Sequence, residues 1–244
     1  MFSKLKKIFY LYKKYKEFKI AGSNITGVSL AQNFEDLIFL MLMNRRTNCV
    51  DYIGTYVDVG AYDPVKFSNT FNLYRKGWRG INIDPLKSSI DRFNKLRPDD
   101  INLSIGIDDK VGEIEYFRFE ESAYNTINPI QAEGYLKRGY PKFKEKNIIK
   151  TDTLKNVFDA YLNGRKIDLL TIDVENMELS VLQSNDWDKY RPTFIIMESI
   201  VNCDESLDNI YQDPAVQYLI DKDYIAVAKV VNAVFFSDNT QQIF

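Results

Sequence analysis

Tyr56 to Asn69, YVDVGAYDPVKFSN, is the stretch on which the reading of this chain turns. A short apolar run carries Asp58 near its end, Gly60 follows in a tight turn, and a helical segment around Asn69 to Lys76 comes next. In an open parallel sheet, ligands bind in the crevice at the carboxyl ends of the strands. Gly60 there lets the backbone approach a ligand, and Asp58 offers a carboxylate. The dinucleotide fingerprint G-x-G-x-x-G is missing, because Tyr62 and Val65 stand where further glycines are required. A pyrophosphate cradle, and with it NAD, is not expected.

The same alternation recurs along the chain. Ile81 to Ile83, Leu103 to Ile107, Leu169 to Ile172 and Phe194 to Met197 join Tyr56 to Val59 as strands, too apolar for a half-exposed sheet. Helical segments around Ser88 to Leu96, Leu154 to Leu162 and Glu178 to Gln183 fall between them, and another over Gln32 to Asn44 precedes them. Strand and helix alternation implies βαβ units, hence an α/β fold with a mostly parallel sheet and helices on both faces. Tyr224 to Lys229 and Ala233 to Ser237 predict an antiparallel C-terminal hairpin. Glu120 to Lys150 has no clear period and is read either as a functional lid or as a surface insertion.

Acids recur where strands end. Asp84 closes GINIDP 24 positions after Gly60, where a carboxylate accepts both ribose hydroxyls of a nucleoside cofactor. A turn before Pro85 is the plainer alternative. Asp173 and Glu175 follow the strand in KIDLLTIDVENMELSVL (166 to 182) and enter the same crevice, unless they cap the next helix.

Composition removes several chemistries. The 244 residues contain no histidine, which excludes Ser-His-Asp and Cys-His nucleophile systems and His-based metal sites. Proton transfer falls to Asp, Glu, Lys or Tyr. The two cysteines, Cys49 and Cys203, form no CxxC pair and suggest neither disulfide nor zinc, which fits a reducing cytoplasm. No run of about 18 apolar residues and no signal-peptide pattern is present, which argues against membrane spanning and export.

Residues 1 to 22 hold seven lysines against Glu17 alone, a local +6 that leaves −8 for the rest of a chain whose formal charge is −2. An acidic body is a poor match to a phosphate backbone, so nucleic acid is not an expected partner. Phe2, Leu5, Ile8, Phe9 and Tyr12 recur at helical spacing, so residues 1–22 are read as a separate basic amphipathic helix and 23–244 as the main domain. Residues 2–19 either make a peripheral contact with an anionic membrane at its inner face or pack on the body or a partner.

VDVGAYDPVKFSNTF, GWRGINIDP, NLSIGIDDKVGEIEYF and IDLLTIDVENMELSVL, in this order and preceded by AQNFEDLIFL, resemble the motifs of FkbM-family methyltransferases from about Leu30 to Glu198. The resemblance implies a Rossmann-like class I methyltransferase fold, S-adenosyl-L-methionine as donor, and O-methylation of a sugar hydroxyl in a glycan or glycosylated metabolite. The alternatives are a small-molecule or nucleic-acid methyltransferase, or an inactive binding protein of the same fold. It places Asp58, Gly60 and Ala61 at the methionine end of the cofactor, Asp84 at its ribose and Ser104 to Asp108 beside its adenine, with Tyr62 and Pro85 also among the cofactor-binding residues. Ser68, Asn69 and Thr70 either bind the cofactor carboxylate or cap the following helix. Asp173 is the first candidate for the base and Glu175 the second, with a divalent cation as the lesser alternative for these carboxylates. Asn176 stands where the family commonly has glycine, at a position Asn tolerates through its ease with positive φ.

Overall fold

The computed structural model describes residues 28–199 and 207–240. The basic amphipathic helix read from residues 1–22 lies outside the described residues. Helix α1 (Glu35–Thr47) leads into β1 (Thr55–Val59), α2 (Phe71–Arg75), β2 (Arg79–Ile83), α3 (Lys87–Leu96) and β3 (Ile101–Leu103). Then come β4 (Gly106–Ile107), β5 (Gly112–Phe119), α4 (Pro129–Arg138), β6 (Phe143–Asp152), α5 (Leu154–Tyr161), β7 (Leu169–Ile172) and α6 (Glu178–Gln183). The remaining elements are β8 (Phe194–Glu198), α7 (Pro214–Asp221), β9 (Tyr224–Val230) and β10 (Ala233–Asp238).

Seven strands form the main sheet in the order β3-β2-β1-β7-β8-β10-β9. The first five run parallel, and β10 pairs antiparallel with both β8 and β9, as the C-terminal hairpin predicts. Consecutive side chains on a strand point to opposite faces, which here feed two cores. Val57, Val59, Ile81, Ile83, Leu170 and Ile172 pack on α5, α6 and α7 through Leu154, Phe158, Val181 and Leu219. Tyr56, Leu169, Phe194 and Ile196 pack on the other side with Phe39 and Met43 of α1 and Trp78. Burying each such side chain stabilises the fold by about 1.5–3 kcal/mol, which is why both faces of the strands read as apolar. This is a Rossmann-like α/β architecture, a mostly parallel sheet with helices on both faces and an antiparallel C-terminal hairpin. No helix among the described residues is long and apolar enough to cross a membrane.

Two readings need correction. The run Leu103 to Ile107 is not one strand. The chain leaves the main sheet after Leu103, passes the exposed Ser104, and pairs again at Gly106 and Ile107 with Thr151 and Asp152 of β6 in a second, three-stranded sheet ordered β4-β6-β5. Both halves are apolar because each meets a core, and composition alone cannot separate them. Glu120 to Lys150 is also more ordered than its sequence suggests. It contains α4 and most of β6, and β6 pairs antiparallel with β5 from Gly112↔Thr151 to Phe119↔Phe143. Its own small cluster joins Phe119, Ala132 and Tyr135. The alternation of β6 is obscured because its exposed positions include Phe143 and Ile148 beside Lys144, Lys146 and Lys150, while its less exposed side carries Glu145 and Asn147.

Candidate functional site

The strand order reverses direction between β1 and β7, and the crevice opens at their carboxyl ends. Backbone bonds fix its floor. Gly60 and Ala61 donate their N–H groups to Ile83 O at 3.0 Å each, and Asp173 donates to Val59 O at 3.0 Å. Gly60 adopts φ +82, and a Cβ on it would lie 1.8 Å from the carbonyl oxygen of Asp173. Only glycine allows the ends of β1 and β7 to approach so closely.

Above this floor lies a cavity of about 590 Å³, inside the range of small-molecule sites. It is lined by Asp58, Gly60, Ala61, Tyr62, Ser68, Asn69, Asp84 and Pro85, and by Asp173 and Glu175, so the structure brings most of the sequence-derived residues together. Thr70, Ser104 and Asp108 do not line it. Thr70 is fully buried and donates to Asp58 Oδ2 at 2.7 Å. Ser104 is exposed, with its hydroxyl 3.4 Å from Pro85 O. Asp108 is buried and accepts the hydroxyl of Ser180, and between these two residues it is Gly106 that reaches the cavity.

The helix-capping alternative holds for one residue of the Ser68 to Thr70 group. Ser68 Oγ accepts the N–H groups of Phe71 at 3.1 Å and Thr70 at 3.3 Å, at the start of α2. Asn69 instead donates to Thr171 Oγ1 at 3.0 Å. Neither Asp173 nor Glu175 caps α6, whose N-cap is Met177 without a side-chain bond. Glu178 serves that turn by accepting Val174 N–H at 3.2 Å.

Asp84 sits just past β2, buried, and accepts Leu86 N–H on Oδ1 at 2.7 Å and Tyr62 N–H on Oδ2 at 3.0 Å. Each oxygen keeps a lone pair for a ligand hydroxyl. Burial pushes its pKa up to about 7 against those two bonds, and pushes Asp58 up to about 6 against the Thr70 hydroxyl and the nearby Arg97 charge.

Asp173, Glu175 and Glu198 converge, each with an oxygen within 4.8 Å of the others. Asp173 is exposed to the open cavity, while the cavity walls enclose its carboxyl on the other sides. That enclosure, followed by the charges of Glu198, Asp58 and Glu35, raises its pKa well above the carboxylate range. Glu198 is pushed up to about 7 by burial and by Glu175 and Glu178. Glu175 also reaches about 7, through burial and the Asp173 charge. Two carboxyls this close oppose each other's ionisation, so Asp173 and Glu198 titrate as a pair with raised proton affinity. Three oxygens at this spacing are also a donor set that a hard divalent cation accepts.

Glu198 was not singled out from sequence, although it ends β8 as Asp84 ends β2, and that signal was available. The residues of the Glu120 to Lys150 segment that line the cavity were also missed as individuals. The segment Glu120 to Ile127 covers the cavity and is latched to the loop after β7. Tyr135 O–H donates to Glu175 Oε2 at 2.9 Å, and Asn128 Nδ2 donates to Asn176 O at 3.2 Å. Glu175 and Asn176 carry φ of 56° and 70°, so the asparagine does occupy a position that glycine otherwise favours. Tyr62 (φ 51°) and Phe67 (φ 59°) are strained as well, and their rings stack beside the cavity with centroids 6.4 Å apart.

The donor set suits the cofactor that the motifs imply: a buried carboxylate with free lone pairs for ribose hydroxyls, a closely packed glycine turn, and an acidic lining that would complement a cationic sulfur. Comparison with curated proteins finds no match. Among solved structures, an O-methyltransferase from Bacillus cereus in complex with SAH is similar over 92% of this chain and 88% of its own, at 14% identity and a TM-score of 0.40. The model of the methyltransferase FkbM domain matches residues 58–212, which run from Asp58 past Glu198 and take in the whole carboxylate cluster. Methyl transfer from S-adenosylmethionine is the chemistry of that family. With more than half of its length matched, this chain belongs to the FkbM methyltransferase family.

Proposed function

We propose that the protein is an O-methyltransferase acting on a sugar hydroxyl of a glycan or glycosylated metabolite. The observation that carries this reading is the Asp173–Glu198 pair, a carboxyl couple with raised proton affinity at the end of β7 and β8. An alkyl hydroxyl is a poor nucleophile until its proton is taken or oriented, and a general base contributes about a hundred- to ten-thousandfold. Histidine is absent, and the cavity lining among the described residues holds eight carboxylates and only one basic side chain, Lys66. The base is therefore a carboxylate.

S-adenosylmethionine, when bound, supplies a methyl group on a positively charged sulfur. Asp84 would hold the ribose hydroxyls, and Asp58 would offer its charge to the positive methionine end. The ionised member of the Asp173–Glu198 pair accepts the acceptor's hydroxyl proton, and the partner carboxyl shares it, so that the pair rather than Asp173 alone acts as the acid–base unit. Glu175, held by Tyr135, orients the acceptor under the lid. The lining's negative charge disfavours phosphate-bearing acceptors, nucleic acid included, and the rings of Tyr62, Phe67 and Tyr124 give the apolar face of a sugar ring surfaces to rest on.

Incubation with trideuteromethyl-labelled S-adenosylmethionine and separated glycan, small-alcohol and RNA fractions tests this directly. Label recovered in an O-methyl sugar after hydrolysis supports the reading. Label confined to RNA or to non-sugar alcohols refutes it. The reading extends to a cytoplasmic enzyme whose residues 2–19 touch a membrane surface. Salt-sensitive sedimentation with anionic liposomes, lost on deletion of residues 1–22, is the outcome it requires.

A further inference from the structure

Arg97, the C-cap of α3, is fully buried, and no carboxylate among the described residues contacts its guanidinium directly. Nε donates to Pro64 O at 2.9 Å, Nη2 to Ser68 Oγ at 2.7 Å, and Nη1 to Thr70 Oγ1 at 2.8 Å and more weakly to Asn82 Oδ1 at 3.4 Å. The rings of Phe71, Phe93 and Tyr74 surround it, with centroids at 5.3, 5.0 and 5.8 Å. A buried cation without an ion pair is costly, so its position calls for a cause.

A guanidinium has donors and no acceptor, so every oxygen it touches must receive from it. Thr70 Oγ1 receives from Arg97 and gives its one proton to Asp58 Oδ2 at 2.7 Å, with Ser68 Oγ a weaker neighbour at 3.4 Å. Arg97 takes up one of the hydroxyl's two lone pairs and so favours donation from Thr70 toward Asp58. We propose that Arg97 is a positioning residue for cofactor binding, which acts through the Thr70 hydroxyl to keep Asp58 an ionised acceptor facing the cavity while it pins the loop from Pro64 to Thr70 as the cavity wall.

The proposal rests on the reading of this cavity as the S-adenosylmethionine site. Around Asp58, Arg97 from the end of α3 favours its charge. Asp100 before β3, Asp84 after β2 and Asp173 after β7 oppose it. Tyr56, whose hydroxyl bonds Asp100, completes the titratable groups packed near it. With three acids against one cation, removal of the Thr70 link shifts the balance toward the protonated form.

The test is calorimetric titration of the full chain with S-adenosylhomocysteine from pH 5.5 to 8.5, for wild type, Thr70→Val, Thr70→Ser and Arg97→Lys. Valine matches threonine in shape but cannot relay the bond, whereas serine can. At pH 7.5 Thr70→Val weakens binding about tenfold, while Thr70→Ser stays within about threefold of wild type. In Thr70→Val the loss of affinity on acidification also begins at higher pH, and serine restores the wild-type profile. Arg97→Lys shifts the profile in the same direction as valine. Should Arg97→Lys fail to fold, the valine and serine pair still decides the matter. Wild-type affinity and pH profile in Thr70→Val overturn the proposal, as does weakened binding with an unmoved pH profile that serine does not rescue. A wild-type chain that does not bind S-adenosylhomocysteine at all overturns the cofactor reading itself, a result distinct from failure of the relay.

Discussion

Replacing Asp84 by alanine separates what this carboxylate does for the ligand from what it does for the fold. With a pKa pushed up to about 7 from an ordinary 3.8, an ionised Asp84 at pH 8 costs the apo fold about 4 kcal/mol. That figure already contains its bonds from the N–H groups of Leu86 and Tyr62, which alanine would leave without a partner at a cost of about 1–3 kcal/mol each. The two contributions nearly cancel, so the apo melting temperature of Asp84→Ala stays within about 5 °C of wild type. The ligand response does not. At a hundredfold excess of S-adenosylhomocysteine over its Kd, wild type gains about 2.7 kcal/mol, or roughly 5–10 °C. A variant whose affinity is lowered about a hundredfold by loss of the ribose contacts gains only about 0.4 kcal/mol, or roughly 1 °C. Thermal melts with and without ligand, together with calorimetry, measure both quantities. An Asp84→Ala protein that still gains the wild-type increment has its ribose site elsewhere.

Three further outcomes follow from the same geometry. Asp58 is raised to about 6, and Asp84, Glu175, Glu178 and Glu198 to about 7, so the folded chain holds protons that the unfolded chain has already released. The stability these groups contribute is complete below about pH 4 and is lost as pH rises through about 7. The apo protein should therefore melt higher at pH 5.5 than at pH 8, and a melting temperature that rises with pH over this interval contradicts the assignment. Gly60→Ala places a Cβ 1.8 Å from the Asp173 carbonyl at φ +82, and it should abolish cofactor binding and lower the melting temperature sharply; a wild-type melt refutes the close-packing argument. Glu198→Gln removes a charge that raises Asp173, so the ascending limb of the pH–rate profile should move to lower pH, and an unmoved limb means the two carboxyls do not titrate as a pair.

The central sheet was legible because its signal is local. Val57, Ile81, Leu170 and Ile195 lie in short apolar runs bounded by turn residues, and every such run feeds a core. The acids at strand ends were legible for the same reason: Asp58, Asp84 and Asp173 each stand where a parallel strand must end, and the crevice lies there in any fold of this class. What stayed hidden depends on contacts distant in sequence. The hairpin of β5 and β6 pairs Phe119 with Phe143 across 23 intervening residues, and its solvated face carries no period that composition can reveal. Arg97 reads as an ordinary charged residue near a helix end, and only the folded chain shows Pro64, Ser68 and Thr70 around it. Glu198 is a third kind of omission, since its position after an apolar run was visible and its significance came from the approach of Asp173.

The claim that the Asp173–Glu198 pair handles the acceptor proton meets its most direct test in Asp173→Asn, assayed with the true acceptor under saturating S-adenosylmethionine. Asparagine keeps the side-chain shape and one acceptor oxygen but cannot take the proton. Turnover should fall about a hundredfold or more, within the range of a lost general base, while S-adenosylhomocysteine affinity and melting temperature stay close to wild type. Turnover within a fewfold of wild type would contradict the account and leave Glu198 or Glu175 to act as the base without Asp173.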